Sequence, residues 1–110
     1  MSKASDDVLA ERQRQIEGEG WSAEHDDLHK HGDLAGAAAC YTLNAAIGLV
    51  DGAPHCPAEP CMFWPWAREW WKPKDPRRDL VRAAALIIAE IERIDRLGTP
   101  RDQSTNGETR

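Results

Sequence analysis

The chain has 110 residues and a net charge of −5, the size of one domain and too short for two separate cores. Acidic and basic residues interleave, which argues against general nucleic-acid binding, because that requires a continuous basic face. No apolar run approaches the roughly 20 residues needed to cross a bilayer. The opening MSKASDDVLAERQ is too acidic and polar for a secretory signal, so the expected location is the cytoplasm.

Ser5 is the expected cap of a first helix, with Asp6 and Asp7 complementing the positive end of its dipole. Val8, Leu9, Arg12 and Ile16 share one face, and Gly18 and Gly20 end the helix. Trp21 then turns back toward the core. Residues 22–32 carry Glu24, His25, Asp26, Asp27, His29, Lys30 and His31 without a repeating apolar face, and read as a loop. Asp33 is the expected cap of a second helix from Leu34 to about Gly48, with Leu34, Ala38, Tyr41 and Ala45 buried. Its small residues Ala35, Gly36, Ala37, Ala38 and Ala39 suit close approach by another helix.

Residues 48–76 are broken by Gly48, Gly52, Pro54, Pro57, Pro60, Pro65, Pro73 and Pro76. Trp64, Trp66, Trp70 and Trp71 lie within this connection. The expectation is a packed part from Phe63 to Trp71 and a mobile part from Asp51 to Cys61. A third helix follows, capped by Asp75, with Pro76 in its first position and Gly98 and Pro100 ending it. Leu80, Ala84, Ile87, Ile91 and Ile94 form its predicted core stripe, widened by Val81 and Ile88. The predicted fold is therefore all-α: a small three-helix domain over residues 1–98, with a long Pro/Trp-rich connection between helices 2 and 3. Residues 99–110 are a polar tail expected to be disordered.

Several groups could carry chemistry. Cys40, Cys56 and Cys61 make an odd count without an export signal, which reads as free thiols. His25 and His29 with His55, Cys56 and Cys61 could in principle hold zinc, but Cys-x4-Cys around a proline-rich loop fits the usual knuckle poorly. Glu24-x-x-Asp27 and Glu92-x-x-Asp95, with Asp79 or Glu90, resemble the E-x-x-D carboxylate pairs with which MazG-like all-α pyrophosphatases hold magnesium. Solvated surface acids are the simpler reading. Cys40 among alanines reads as buried rather than activated. The expectation is a non-catalytic protein with no cofactor and no metal; a magnesium-dependent nucleotide pyrophosphatase using Glu24, Asp27 and Asp79 is the enzymatic alternative.

The aromatic and basic residues suggest a binding site. Trp64, Trp66, Trp70 and Trp71 interleave with Arg68, Lys72 and Lys74, and Arg77, Arg78 and Arg82 follow; from Lys72 to Arg82 five positive charges are opposed only by Asp75 and Asp79. Indole faces stack on bases and guanidinium groups grip phosphates. Completing a core short of Phe, Leu and Met is the competing role for these tryptophans. They could also be the hot spot of a protein–protein inhibitor or adaptor.

Glu11-Arg12, Gly20-Trp21, Asp26-Asp27, Lys30, His31, Leu34 and Tyr41, followed by Asp75 to Arg78 at a helix start, appear in the order of the RyR domain, the ryanodine-receptor repeat. The chain resembles that family over roughly residues 8–95, with His25 in place of Arg, Gly32 in place of Pro, a displaced Tyr and an additional Trp-rich insert. Its W-P-W and W-W-K-P strings also resemble small phage and prophage proteins. The resemblance implies a non-catalytic all-α module that binds a nucleotide-derived ligand, and in a phage a counter-defence role by sequestering a signalling nucleotide. On that reading Trp21, Trp64, Trp66, Trp70 or Trp71 would stack and Lys72, Arg77 and Arg78 would neutralise phosphate. Asp26 and Asp27 would accept hydrogen bonds. A second copy of the chain could complete the pocket as a homo-oligomer.

Overall fold

A computed structural model of the chain describes residues 2–19, 32–52 and 59–98. It shows three α-helices, α1 (Lys3–Glu19), α2 (Asp33–Asp51) and α3 (Pro76–Gly98), with one 3-10 turn at Arg68–Trp70. No strand occurs among the described residues. The fold is all-α, as its periodicity predicts. The expectations for Trp21, residues 22–31, the 53–58 segment and the 99–110 tail lie outside the described residues.

α1 begins earlier than predicted because Ser2, rather than Ser5, caps it. The Ser2 hydroxyl accepts the Ser5 N–H at 3.1 Å, and Lys3 then pairs with Asp7 one turn on at 2.7 Å. Its buried face is polar, made of Glu11, Arg12 and Gln15, while Leu9 of the expected apolar stripe is exposed. Val8 and Ile16 are half-buried. Ion pairs decide this face: Glu11 meets Arg78 at 2.5 Å and Arg12 meets Glu92 at 3.1 Å, both on α3.

α2 buries Leu34, Ala38, Tyr41 and Ala45 as predicted, joined by Ala37, Cys40, Asn44 and Gly48. Gly32, at φ 78°, stands at its entrance in place of the predicted cap Asp33, which lies in the first turn. The helix runs past Gly48 to Asp51 and stops where Gly52 turns to φ 77°. At 19 residues, α2 is long and apolar enough to cross a membrane by length and composition. That corrects the expectation that no such run exists. The apolar character owes much to alanines, which pack here against α3.

α3 lies between the other two helices and contacts both. The Asp75 carboxylate accepts the Arg78 N–H at 2.9 Å, so the predicted cap, the Pro76 start and the Gly98 end all hold. Its orientation does not. The predicted core stripe faces outward: Leu80, Ile87, Ile91 and Ile94 are 40–51% exposed and Ala84 is half-buried. The inward face is Val81, Ala83, Ala85, Leu86 and Ala89, with Asp79, Glu90 and Arg93. Alanines on α2 and α3 form much of the shared core. Small side chains let the two backbones come close, and the resulting dispersion attraction offsets the burial forgone by the bulkier stripe.

A disulfide joins Cys40 on α2 to Cys61 on the returning connection, with Cα atoms 5.4 Å apart. The expectation of free thiols is overturned for these two cysteines. Their separation of 21 residues hides the pairing, which appears only once the chain doubles back over α2.

Candidate binding surface

The Trp-rich connection is fastened directly to α2. The Cβ direction of Gly36 points at the Phe63 carbonyl oxygen, 2.6 Å from where a side-chain carbon would sit. The small residues of α2 are thus approached at this point by the backbone of the connection, where their pattern predicts a helix. Next along, Trp64 packs edge-on against Tyr41 at 5.7 Å, Trp66 at 5.3 Å and Trp71 at 5.2 Å between ring centroids. Tyr41 and Trp71 lie 4.8 Å apart. The Trp64 indole N–H donates to the Ala67 carbonyl at 3.1 Å, which closes the loop before the 3-10 turn.

Trp71 is buried and Trp64 and Trp66 are half-buried against the core, so three of the four tryptophans of the connection do complete the core. Outside this layer Met62, Phe63 and Trp70 are 89%, 62% and 58% exposed. The packed segment predicted from Phe63 to Trp71 therefore holds at three of its tryptophans, while Phe63 and Trp70 face solvent.

The basic residues separate into two groups. Lys72 places its ammonium 5.7 Å from the centre of the Trp70 ring, a cation–π distance. Arg82 lies over the Tyr41 ring at 5.1 Å and donates to the Tyr41 hydroxyl at 3.2 Å and the Lys72 carbonyl at 2.7 Å. Arg77 and Arg78 turn instead to α1, where Arg77 meets Asp7 at 2.9 Å and Arg78 meets Glu11. The structure thus brings Trp64, Trp66 and Trp71 together and sets Lys72 beside Trp70. It directs Arg77 and Arg78 to a different neighbour. Trp21, Asp26 and Asp27 lie outside the described residues.

Between α1 and the start of α3 is a groove of about 470 Å³ lined by Asp7, Glu11, Arg14, Asp75, Arg77 and Arg78. Three carboxylates face three guanidinium groups there, which leaves the groove without excess charge for an anion. Burial pushes the Glu11 carboxyl upward, but hydrogen bonds from Arg14 and Arg78 and the charges of both outweigh it and bring the pKa down to about 2. Hydrogen bonds from Lys3 and Arg77 lower Asp7.

The carboxylates considered for magnesium do not form a solvent-facing set among the described residues. Asp79 is fully buried; one oxygen accepts the Lys74 N–H at 2.8 Å and the other accepts from Asn44 at 2.8 Å. Glu90 is buried with Arg93 at 2.6 Å. These two are structural acids, which corrects the expectation that they are solvated. Glu92 is engaged by Arg12, and Asp95 is exposed. Glu24 and Asp27, and the zinc candidates His25, His29, His55 and Cys56, lie outside the described residues, while Cys61 is committed to the disulfide.

Sequence reasoning misses Tyr41 as an aromatic partner and Glu11, Asn44 and Asp79 as buried polar anchors. Only Tyr41, as the single tyrosine on a predicted buried stripe, carries a usable signal. Compared with known protein families, with curated proteins and with solved structures, the chain matches none of them.

Proposed function

We propose that this chain is a non-catalytic binding module that engages a protein partner through its Trp-rich connection. The observation that carries this reading is the exposure of Met62, Phe63 and Trp70 on a segment pinned by the Cys40–Cys61 disulfide and the Tyr41–Trp64–Trp71 layer. Large side chains held ready on a braced backbone lose little entropy on binding, which is how interface hot spots work. The resemblance to the ryanodine-receptor repeat also supports a non-catalytic role.

The test is quantitative affinity capture with the wild type and a Met62→Ser, Phe63→Ser, Trp70→Ala variant as parallel baits. The expected result is a defined partner held by the wild type and lost from the variant. A partner held equally by both would overturn the assignment of this surface.

A nucleotide-derived ligand is the second reading, favoured by the Lys72 ammonium beside the exposed Trp70 ring, which together offer a stacking face and a cation. For a phage protein such a ligand would be a signalling nucleotide sequestered in counter-defence. Native mass spectrometry after incubation with nucleotide and cyclic-nucleotide pools distinguishes the two. An unchanged nucleotide carried by the wild type and lost in Trp70→Ala supports the second reading, a cleaved product supports the pyrophosphatase, and bare protein removes both.

A further inference from the structure

Met62 and Phe63 form the corner of a tight turn, closed by the Trp64 N–H donating to the Cys61 carbonyl at 3.0 Å. Both ends of the turn are fixed to consecutive residues of α2. Cys61 is bridged to Cys40, and Trp64 packs edge-on against Tyr41 at 5.7 Å. The two corner side chains bury little, being 89% and 62% exposed. Contacts with Trp66 and Trp71 and the bond to the Ala67 carbonyl secure the Trp64 end further. The Cys61 end relies on the bridge. What holds it otherwise is an exposed Glu59–Arg68 ion pair and a 3.7 Å approach of the Cys40 sulfur to the Cys61 carbonyl, both weak.

We propose that the Cys40–Cys61 bridge is a redox switch for this turn. Oxidised, it holds Met62 and Phe63 in the geometry that binds; opened by a dithiol reductant, it releases them while the helical fold stays. The inference rests on the reading of Met62, Phe63 and Trp70 as a partner surface.

The two sulfurs are unequally placed. Cys40 is 1% exposed, in the alanine-rich core, and Cys61 is half-buried at its edge. The thiolate of a dithiol therefore attacks the Cys61 Sγ. The S–S bond breaks, Cys40 Sγ leaves with the electron pair and takes up a proton, and a mixed disulfide forms at Cys61. The second thiolate of the reductant then attacks the reductant sulfur of that mixed disulfide, and Cys61 leaves and takes up the second proton. The bridge has gained two electrons and two protons, and the dithiol has become a disulfide.

The core survives this step. A neutral Cys40 thiol is a small apolar side chain and suits its site. The bridge ties α2 to the connection alone, whereas the Tyr41–Trp71 pair at 4.8 Å and the Asn44–Asp79 bond at 2.8 Å hold without it. The released part is thus the turn with Met62 and Phe63.

The first test is whether the bridge opens in the folded chain. Wild type in millimolar dithiothreitol, without denaturant, is quenched with excess N-ethylmaleimide in denaturant and weighed. Alkylation of all three cysteines is expected, with the helical circular dichroism retained before the quench. A bridge that opens only after denaturant has unfolded the chain, or loss of the helical signal on reduction, overturns the proposal.

Backbone amide relaxation by NMR then reads the turn. Order parameters of Met62 and Phe63 should fall from about 0.85 to below about 0.6 on reduction, while α2 and α3 stay rigid. Cys40→Ala with Cys61→Ala should give the low values without reductant and no response to it. Unchanged values at Met62 and Phe63 in the reduced chain overturn the switch. A partner retained by the wild-type bait should bind the double-alanine chain about 10–100-fold more weakly, because binding must then order the turn; equal affinity overturns the gating. If neither chain retains a partner, the surface reading fails, and the relaxation measurement still decides the switch.

Discussion

Asn44 on α2 donates a hydrogen bond of 2.8 Å to the Asp79 carboxylate on α3, and both residues are buried. The other Asp79 oxygen takes the Lys74 N–H, so one carboxylate ties together the two core helices and the end of the Trp-rich connection. Removing it strands the buried Asn44 amide in the core and takes the acceptor from the part-buried Lys74 N–H.

Asp79→Ala should therefore cost about 2–4 kcal/mol of stability, the penalty for a charge-assisted pair plus the unsatisfied groups left behind. Urea unfolding followed by circular dichroism checks this. Because Asp79 is enclosed, magnesium and EDTA should leave the wild-type midpoint unmoved; a shift with magnesium would return Asp79 to a metal-binding role.

Acid should weaken the α1–α3 contact in a defined window. Glu11 has a pKa of about 2 in the fold against an ordinary value of 4.5. A depressed carboxylate contributes its full stability above the unfolded value and loses it as pH falls through the folded one. The window thus runs from about pH 4.5 down to about pH 2, and the contribution lost is about 2–3 kcal/mol. In Glu11→Gln this part of the pH dependence should disappear. An unchanged acid-unfolding slope in that variant would show that the Arg14 and Arg78 pairs do not hold the helix.

Gly36→Ala should destabilise the protein although alanine is the better helix former. The added carbon would lie 2.6 Å from the Phe63 carbonyl oxygen, and backbone must move to admit it. We expect a net loss of about 1–3 kcal/mol, together with a change in tryptophan fluorescence as the connection lifts. A variant as stable as wild type, with unchanged emission, would refute the close approach.

Alkylation of the unreduced chain in denaturant should modify one cysteine, and alkylation after reduction should modify all three. Cys40→Ala with Cys61→Ala should lower stability by about 3 kcal/mol, the effect of releasing a loop of this length in the unfolded state. Three reactive thiols without reductant would restore the reading of free cysteines.

What the sequence determined by itself is local. Asp75 and Pro76 start α3 and Gly98 ends it, and Leu34, Ala38, Tyr41 and Ala45 mark the buried face of α2. Capping and helical periodicity act over a few residues, so they can be read along the chain. What only the tertiary structure decided is which competing option each element takes. α3 carries two apolar faces, and periodicity favours the bulkier one. The alanine face turned inward because α2 offers a matching alanine surface and α1 supplies carboxylates for Arg77 and Arg78. The Cys40–Cys61 bridge, the enclosure of Asp79 and the split between packed and exposed tryptophans depend in the same way on segments far apart in the chain. Their energies arise only when those segments meet, and no local pattern records that they do.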